Sequence, residues 1–319
     1  MKKIVVIGGG HGSECVLRGI KRYELDITAV VTVFDSGGST GKLRREFGAL
    51  PIGDVRRCLV ALSQENSDKL FQRLFDFRFS DVASPFNGHS FGNLLLFALT
   101  QMNSGETEAI AKAGKILNIK GRVLPVSLDR AHVDAELENG QVIHEEENID
   151  VPKHDGALRI RRVFLNPQAR MYASVGTAID EADLVVFAPG DLYTSIIPNL
   201  LAENMSDALQ KSHAKKVFVL NLMTKWGETN GFTASDFVRE VLSYAGFERF
   251  DAIIVNKRKL PKETLDAYAL EKKHPVPYDE ACGELASTIV MEDLYAEGEG
   301  GIRHDSQALA SILMLFAGP

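Results

Sequence analysis

Short apolar runs recur along the chain at 4–7, 27–33, 182–188, 216–220 and 251–255, each too short for a helix and most of them rich in Val, Ile or Phe. Such runs read as strands buried on both faces of a parallel sheet. Between them the apolar positions take a helical period: from Ser13 to Ile20, from Asp54 onward, and at 67–77, 94–101, 233–244, 261–270 and 306–316. Thr233 and Asp236 form a capping-box pattern ahead of one of these helices. Strands alternating with helices predict an α/β fold with a mostly parallel sheet. From 121 to 165 the period shifts to two, with an Asn139-Gly140 hairpin signal. A small antiparallel β-rich insertion is therefore expected inside a single domain spanning 1–319. The Glu145-Glu146-Glu147 run reads as a solvated edge of that insertion.

Where the strands stop, the chain turns glycine-rich. The first run gives way to Gly8-Gly9-Gly10-His11-Gly12-Ser13, and a strand, a glycine loop and a helix in that order aim backbone N–H groups at one point, which attracts phosphate. Ser13 stands where the dinucleotide fingerprint wants its last glycine, so a nicotinamide oxidoreductase is only a minor competitor. The second strand ends in Asp35-Ser36-Gly37-Gly38-Ser39-Thr40-Gly41-Lys42-Leu43-Arg44. Asp35 has the position of a ribose-binding acid, but the basic glycine loop after it points to an anion, with Lys42 and Arg44 as charge partners.

Further candidates follow along the chain. Asp54 reads first as a helix N-cap, and Arg56 or Arg57 is placed to reach a phosphate or to lie on a solvated face. His89, Ser90 and Asn93 sit at the mouth of a helix, suited to a substrate hydroxyl or amide and equally to capping. After 182–188 comes Pro189-Gly190-Asp191-Leu192-Tyr193-Thr194-Ser195, with a helix expected from Ile196, which makes Thr194-Ser195 a phosphate seat. The long polar loop 221–231 holds Asn221 and Thr224. Near the end Arg303 is a phosphate partner, and His304 reads as a packed or capping residue.

Charge narrows the partners. With 43 acidic against 36 basic residues and a net charge of -7, the chain lacks the basic surface that nucleic acids and anionic membranes select. Cys15, Cys58 and Cys282 are odd in number and lack metal-ligand spacing, which suits a reducing compartment and a role as small core residues. Lys2-Lys3 ahead of an apolar run imitates a signal peptide, but His11 and Glu14 interrupt it, and no stretch approaches the length of a membrane span.

Seven stretches in register then carry a resemblance: GGGHG, DSGGSTGKLR, LPIGDVRRCLVALS, GHSFGNLLL, APGDLYTSIIPNLL, NLMTKWGET and the late RHDS. Together they resemble the CofD-like superfamily, specifically its gluconeogenesis-factor (YvcK-like) branch. The resemblance implies a Rossmann-like, doubly wound sheet, a cytoplasmic location, and a nucleotide or nucleotide-sugar ligand across the strand ends. In this branch the implied ligand is a UDP-sugar such as UDP-N-acetylglucosamine, and the implied role is regulation of cell shape and cell wall during gluconeogenic growth. The superfamily's enzyme, 2-phospho-L-lactate transferase, instead moves a phospholactyl group from a guanosine diphosphate carrier with magnesium.

Carried over, the ligand contacts are Gly9, Gly10 and Gly12, then Asp35, Gly37, Gly38, Ser39 and Gly41. After these come Arg56, Asn93, Gly190, Tyr193, Thr194, Ser195, Asn221, Thr224, Tyr268 and Arg303. Were the protein a transferase, Asp35 and Asp54 would be its catalytic carboxylates, with Asp35 as a magnesium ligand. Three departures stand out: His11 replaces the usual Thr, Ser36 replaces a second Asp, and Lys225-Trp226 replaces Gln-Pro. Losing the Ser36 carboxylate weakens the case for magnesium, while His11 offers a phosphate a hydrogen bond. Self-association is left open.

Overall fold

The computed structural model describes residues 1–64, 69–81, 84, 86–298 and 301–318. The chain runs β1 (Lys2–Gly8), α1 (Gly10–Ile20), β2 (Leu25–Val31), α2 (Gly38–Phe47), α3 (Gly53–Leu62), α4 (Lys69–Asp76), α5 (Phe91–Met102), α6 (Glu106–Ile116) and β3 (Arg122–Pro125). An antiparallel segment follows, with β4 (His132–Leu137), β5 (Val142–Ile143), α7 (Glu146–Asp150) and β6 (Ile160–Asn166). Then come α8 (Ala173–Asp180), β7 (Leu184–Phe187), α9 (Ile197–Leu200), α10 (Met205–Lys211), β8 (Lys215–Val219), α11 (Ala234–Ala245), β9 (Phe250–Asn256) and α12 (Lys262–Leu270). The last elements are α13 (Cys282–Leu285), β10 (Ala286–Glu292), β11 (Tyr295–Gly298), β12 (Gly301–His304) and α14 (Ser306–Ala317).

Seven strands form one parallel sheet in the order β10-β9-β8-β7-β1-β2-β3. β1 lies in its interior because its Ile4-Val5-Val6-Ile7 run can bury both faces: Ile4 pairs with Ile27 on one side and Leu184 on the other, and Ile7 with Val30 and Phe187. The chain winds outward from β1 in both directions, so the loops after β1 and β7 meet where the winding reverses. Ligands of open α/β sheets bind at that point. Phe187, Phe218, Phe247 and Phe250 interlock by edge and stacked contacts in the core beside it.

Several sequence expectations are met closely. Thr233 and Asp236 form a reciprocal capping box on α11. The Asn139-Gly140 turn joins β4 to β5, and all three cysteines are buried and free. Two differ. Arg122–Pro125, expected in the antiparallel insertion, is the edge strand of the main sheet beside β2, so the separate three-stranded sheet comprises only β5-β4-β6. The helix expected over 67–77 is observed as α4, with 67 and 68 outside the described residues. Among the described residues no helix is long and apolar enough to cross a membrane.

Candidate functional site

The first glycine loop behaves only partly as its sequence suggests. α1 starts at Gly10, earlier than Ser13, because Gly10 takes a left-handed φ of 59° that turns the chain straight into the helix. Its N–H donates to Asp54 Oδ2 at 2.7 Å. The anion seat at the head of α1 is thus held by a carboxylate of the protein itself. Asp54, expected to cap its own helix, is the second residue of α3 behind Ile52 and reaches across to α1 instead. Desolvation in the recess raises its pKa, against the pull of Arg57, the Gly10 N–H and Arg56. Gly12 answers to packing: a Cβ there would lie 1.7 Å from the Pro189 carbonyl oxygen.

The second glycine stretch is mostly helix. Gly37 precedes α2, and Ser39, Gly41 and Lys42 lie within it. Ser39 Oγ meets His89 Nδ1 at 3.0 Å and accepts from Asn93 Nδ2 at 3.3 Å, a buried link from α2 to the start of α5. Ser90 caps α5, accepting the Asn93 N–H at 3.2 Å. Lys42 Nζ donates to the Asn87 carbonyl, and Arg44 to the carbonyls of Asp35 and Ala131. Neither cation lines the cavity, where an anion partner was expected.

Asp35, at the end of this second strand, does face the cavity. Its carboxyl hydrogen-bonds Glu146 of α7. Ser36 stitches the same junction, its N–H donating to Glu146 Oε2 at 3.2 Å and its Oγ accepting from the Glu147 N–H at 2.9 Å. Desolvation first, then neighbouring carboxylates, push Asp35 up to about 7 and Glu146 up to about 10, so the two share a proton at neutral pH. This corrects the reading of the glutamate run as a solvated edge. Glu147 is exposed, but Glu146 is buried. The signal lay in the spacing, since Ile143, Glu146 and Ile149 recur at intervals of three on the buried side.

The two adjacent arginines part company. Arg56 is buried, donating to the Phe75 carbonyl and pairing with the Asp76 carboxylate away from the cavity. Arg57 lines the cavity and donates to His11 Nδ1 at 3.0 Å. Desolvation, then the charges of Arg57 and Arg303, lower the His11 pKa, which favours the neutral ring with Nδ1 as acceptor.

After β7 the backbone makes one wide π turn, Leu192–Ile196, before α9, where a plain helix start was expected at Ile196. Such turns are rare and concentrate at functional sites. Asn221 brackets Gly190, accepting its N–H at 3.1 Å and donating to its carbonyl at 2.6 Å. Glu228 accepts the Tyr193 N–H at 3.0 Å and the Thr194 hydroxyl at 3.2 Å. The Tyr193 side chain is buried, with its hydroxyl hydrogen-bonded to Glu240. Asn199, which sequence reading passed over, donates to the carbonyls of Gly8 and Ser195 and ties the turn to β1. Thr224 Oγ1 accepts the His274 N–H at 3.0 Å, and Tyr268 Oη accepts the Ile302 N–H at 2.9 Å.

These elements enclose one cavity of about 730 Å³ at the carboxyl ends of the strands, a size typical of small-molecule sites. It brings together Gly9, Gly10, His11, Gly12, Asp35 and Asp54 with Gly190, Thr194, Ser195, Asn221, Thr224, Tyr268 and Arg303. Gly37, Gly38, Ser39, Gly41, Lys42, Arg56, Asn93 and Tyr193 do not line it. Arg57, the alternative to Arg56 in the sequence reading, lines it as well, and Glu146, Asp150, Asp191, Lys225 and Lys273 join it without having been singled out as contacts.

Among the described residues, one group brings three metal-ligand side chains within 4.8 Å of one another: Asp150, Asp191 and Glu228. Lys225 Nζ sits on all three, at 2.8 Å from Asp191 and 2.9 Å from Glu228, with Asp150 as the third partner. Burial lowers the Lys225 pKa, but the three carboxylates outweigh it and hold the ammonium protonated. Asp35, expected as a magnesium ligand, is engaged with Glu146. In this arrangement the carboxylates do not offer magnesium a site.

The description 2-phospho-L-lactate transferase CofD matches residues 4–295. A protein of Nostoc sp. is 43% identical over 99% of this chain and 69% of its own length. The gluconeogenesis factor of Bacillus subtilis is 39% identical over 98% of this chain and 96% of its own. A crystal structure of a UPF0052 family member from Bacillus halodurans superimposes with a TM-score of 0.93 at 36% identity, covering 98% of this chain and 100% of that one. With its fold and nearly its whole length shared, this chain belongs to the CofD family and stands within it beside the gluconeogenesis factors, the YvcK-like branch.

Proposed function

We propose that the protein is a cytoplasmic regulator that binds a nucleotide sugar, a UDP-sugar such as UDP-N-acetylglucosamine, and links gluconeogenic growth to cell shape and cell-wall maintenance. The observation that carries this reading is the make-up of the strand-end cavity. Arg57, Lys273 and Arg303 line it together with the neutral His11, a combination suited to a diphosphate. Hydroxyls and amides from Ser195, Asn221 and Tyr268 line the remainder, suited to ring and sugar groups. The name borne by the Bacillus subtilis relative supports the growth role.

Binding without turnover is favoured because the two candidate catalytic carboxyls are engaged. Asp54 holds the Gly10 N–H, and Asp35 holds Glu146. One observation favours a second reading, a CofD-like transferase moving a phospholactyl-type group from a nucleoside diphosphate donor with magnesium. The Asp35 and Glu146 carboxyls, in a cleft, are held well above the usual carboxylate range, with Asp35 pushed up to about 7, as active-site acids are.

The deciding experiment measures melting temperature against UDP-N-acetylglucosamine, UDP-glucose, GDP and NAD, each with and without magnesium. A ligand at a hundred times its dissociation constant adds roughly 2.7 kcal/mol, a shift of a few degrees. A shift with UDP-sugars alone, independent of magnesium, is the expected outcome. A shift with GDP that requires magnesium would move the assignment to the transferase.

A further inference from the structure

We propose that Lys225 is the cavity's resident cation: its ammonium takes the place a divalent ion would hold among Asp150, Asp191 and Glu228, and frees ligand binding at that wall from any need for magnesium. The last clause rests on the nucleotide reading, but the first does not. Three carboxylates with ligand atoms within 4.8 Å of one another repel unless a positive charge stands between them. A divalent ion would bind their oxygens at 2.0–2.6 Å, roughly, from the centre of the group. The Lys225 ammonium is already there, with three carboxylate partners for its three N–H donors.

Each acid comes from a different part of the chain: Asp150 from the end of α7, Asp191 from the loop after β7, and Glu228 from the loop after β8. One tethered cation therefore pins three walls of the cavity together. The Lys225 backbone is itself fixed, its N–H donating to Thr229 Oγ1 at 2.8 Å. Glu228 passes the constraint on by holding the Tyr193 N–H and the Thr194 hydroxyl, so the π turn that presents Ser195 takes its position from Lys225. Lys225 acts on that turn through Glu228 and is a positioning residue. Unlike a solution ion, it cannot be removed by chelation.

The test is a manganese(II) titration of the full chain without nucleotide, read by the loss of the free-ion paramagnetic resonance signal, on the wild type, Asp191→Asn, Lys225→Gln and the double variant. Wild type and Asp191→Asn are expected to bind alike. Lys225→Gln should gain one site per chain, at least tenfold tighter than any in the wild type, and the double variant should lose it. A wild-type site that Asp191→Asn abolishes would overturn the proposal, as would a Lys225→Gln protein with native circular dichroism and no added site. If Lys225→Gln does not fold, the wild type and Asp191→Asn still decide: equal binding supports the proposal, and unequal binding overturns it. Because no nucleotide is present, this result stands or falls apart from the ligand's identity.

Discussion

The loops after β1 and β2 look like two copies of one device, yet they do different work. Both follow a buried strand, both are glycine-rich, and both lead into a helix. The first stays at the cavity, with Gly9, Gly10, His11 and Gly12 on its wall. The second contributes Asp35 and then turns away, its Ser39 and Lys42 bound to the segment around α5. Glycine after a strand therefore marks a tight change of direction. Whether the turn faces a ligand depends on the partners that the next helix finds.

Substitutions can sharpen this contrast, beginning with the largest effect. Gly12→Ala would drive a Cβ into the Pro189 carbonyl, and urea denaturation should show a loss of about 3 kcal/mol or more, since backbone has to move. Retention of wild-type stability would mean that the first loop is not fixed by this packing. The two arginines come next. Arg56→Ala leaves the Phe75 carbonyl without its partner and opens a buried space, so it should cost about 2–3 kcal/mol while folded molecules keep their nucleotide affinity. Arg57→Ala should do the reverse, weakening binding about tenfold or more by calorimetry with little change in melting temperature.

A third test uses pH. Burial holds the His304 imidazole down to about 4, with its Nε2 donating to the Leu220 carbonyl under the cavity. Unfolded chains take up a proton near pH 6.5 that folded ones refuse. The resulting stability is complete above that pH and is lost as pH falls through about 4, to a total of about 3 kcal/mol. The difference between the stability curves of wild type and His304→Asn should carry this slope. The smallest effect is expected in the second loop. Gly38 has a φ of 56° and open space around its Cβ position, so Gly38→Ala should cost only the conformational strain of about 1–2 kcal/mol. A loss as large as that of Gly12→Ala would erase the distinction between the loops.

Much of the fold was legible in the sequence because it rests on local signals. The apolar runs of β1, β2, β7, β8 and β9 are unambiguous, and the Thr233–Asp236 box states where α11 begins. The site was most legible where it is contiguous, as in the loops after β1 and β7, with Asp35, Asn221, Thr224, Tyr268 and Arg303 as single residues from elsewhere. The choice between Arg56 and Arg57 was not, because α3 is buried on nearly every side and its apolar positions do not single out one flank. The exchange of Asp54 from cap to α1 partner depends on a contact between positions 44 residues apart. The Lys225 cluster joins positions 150, 191, 225 and 228, which no window of sequence displays. Glu146 shows the intermediate case, readable from its spacing with Ile143 and Ile149 once a charged residue is allowed on the inner side.

The helix α7 has one more consequence. It belongs to the antiparallel segment, yet Glu146 and Asp150 form part of the cavity's wall. A chain that has built its parallel sheet but not yet docked this segment has the strand ends and no finished receptacle. A small molecule bound in the cavity would stabilise the docking of this segment and slow hydrogen exchange across 132–166, beyond the few residues it touches.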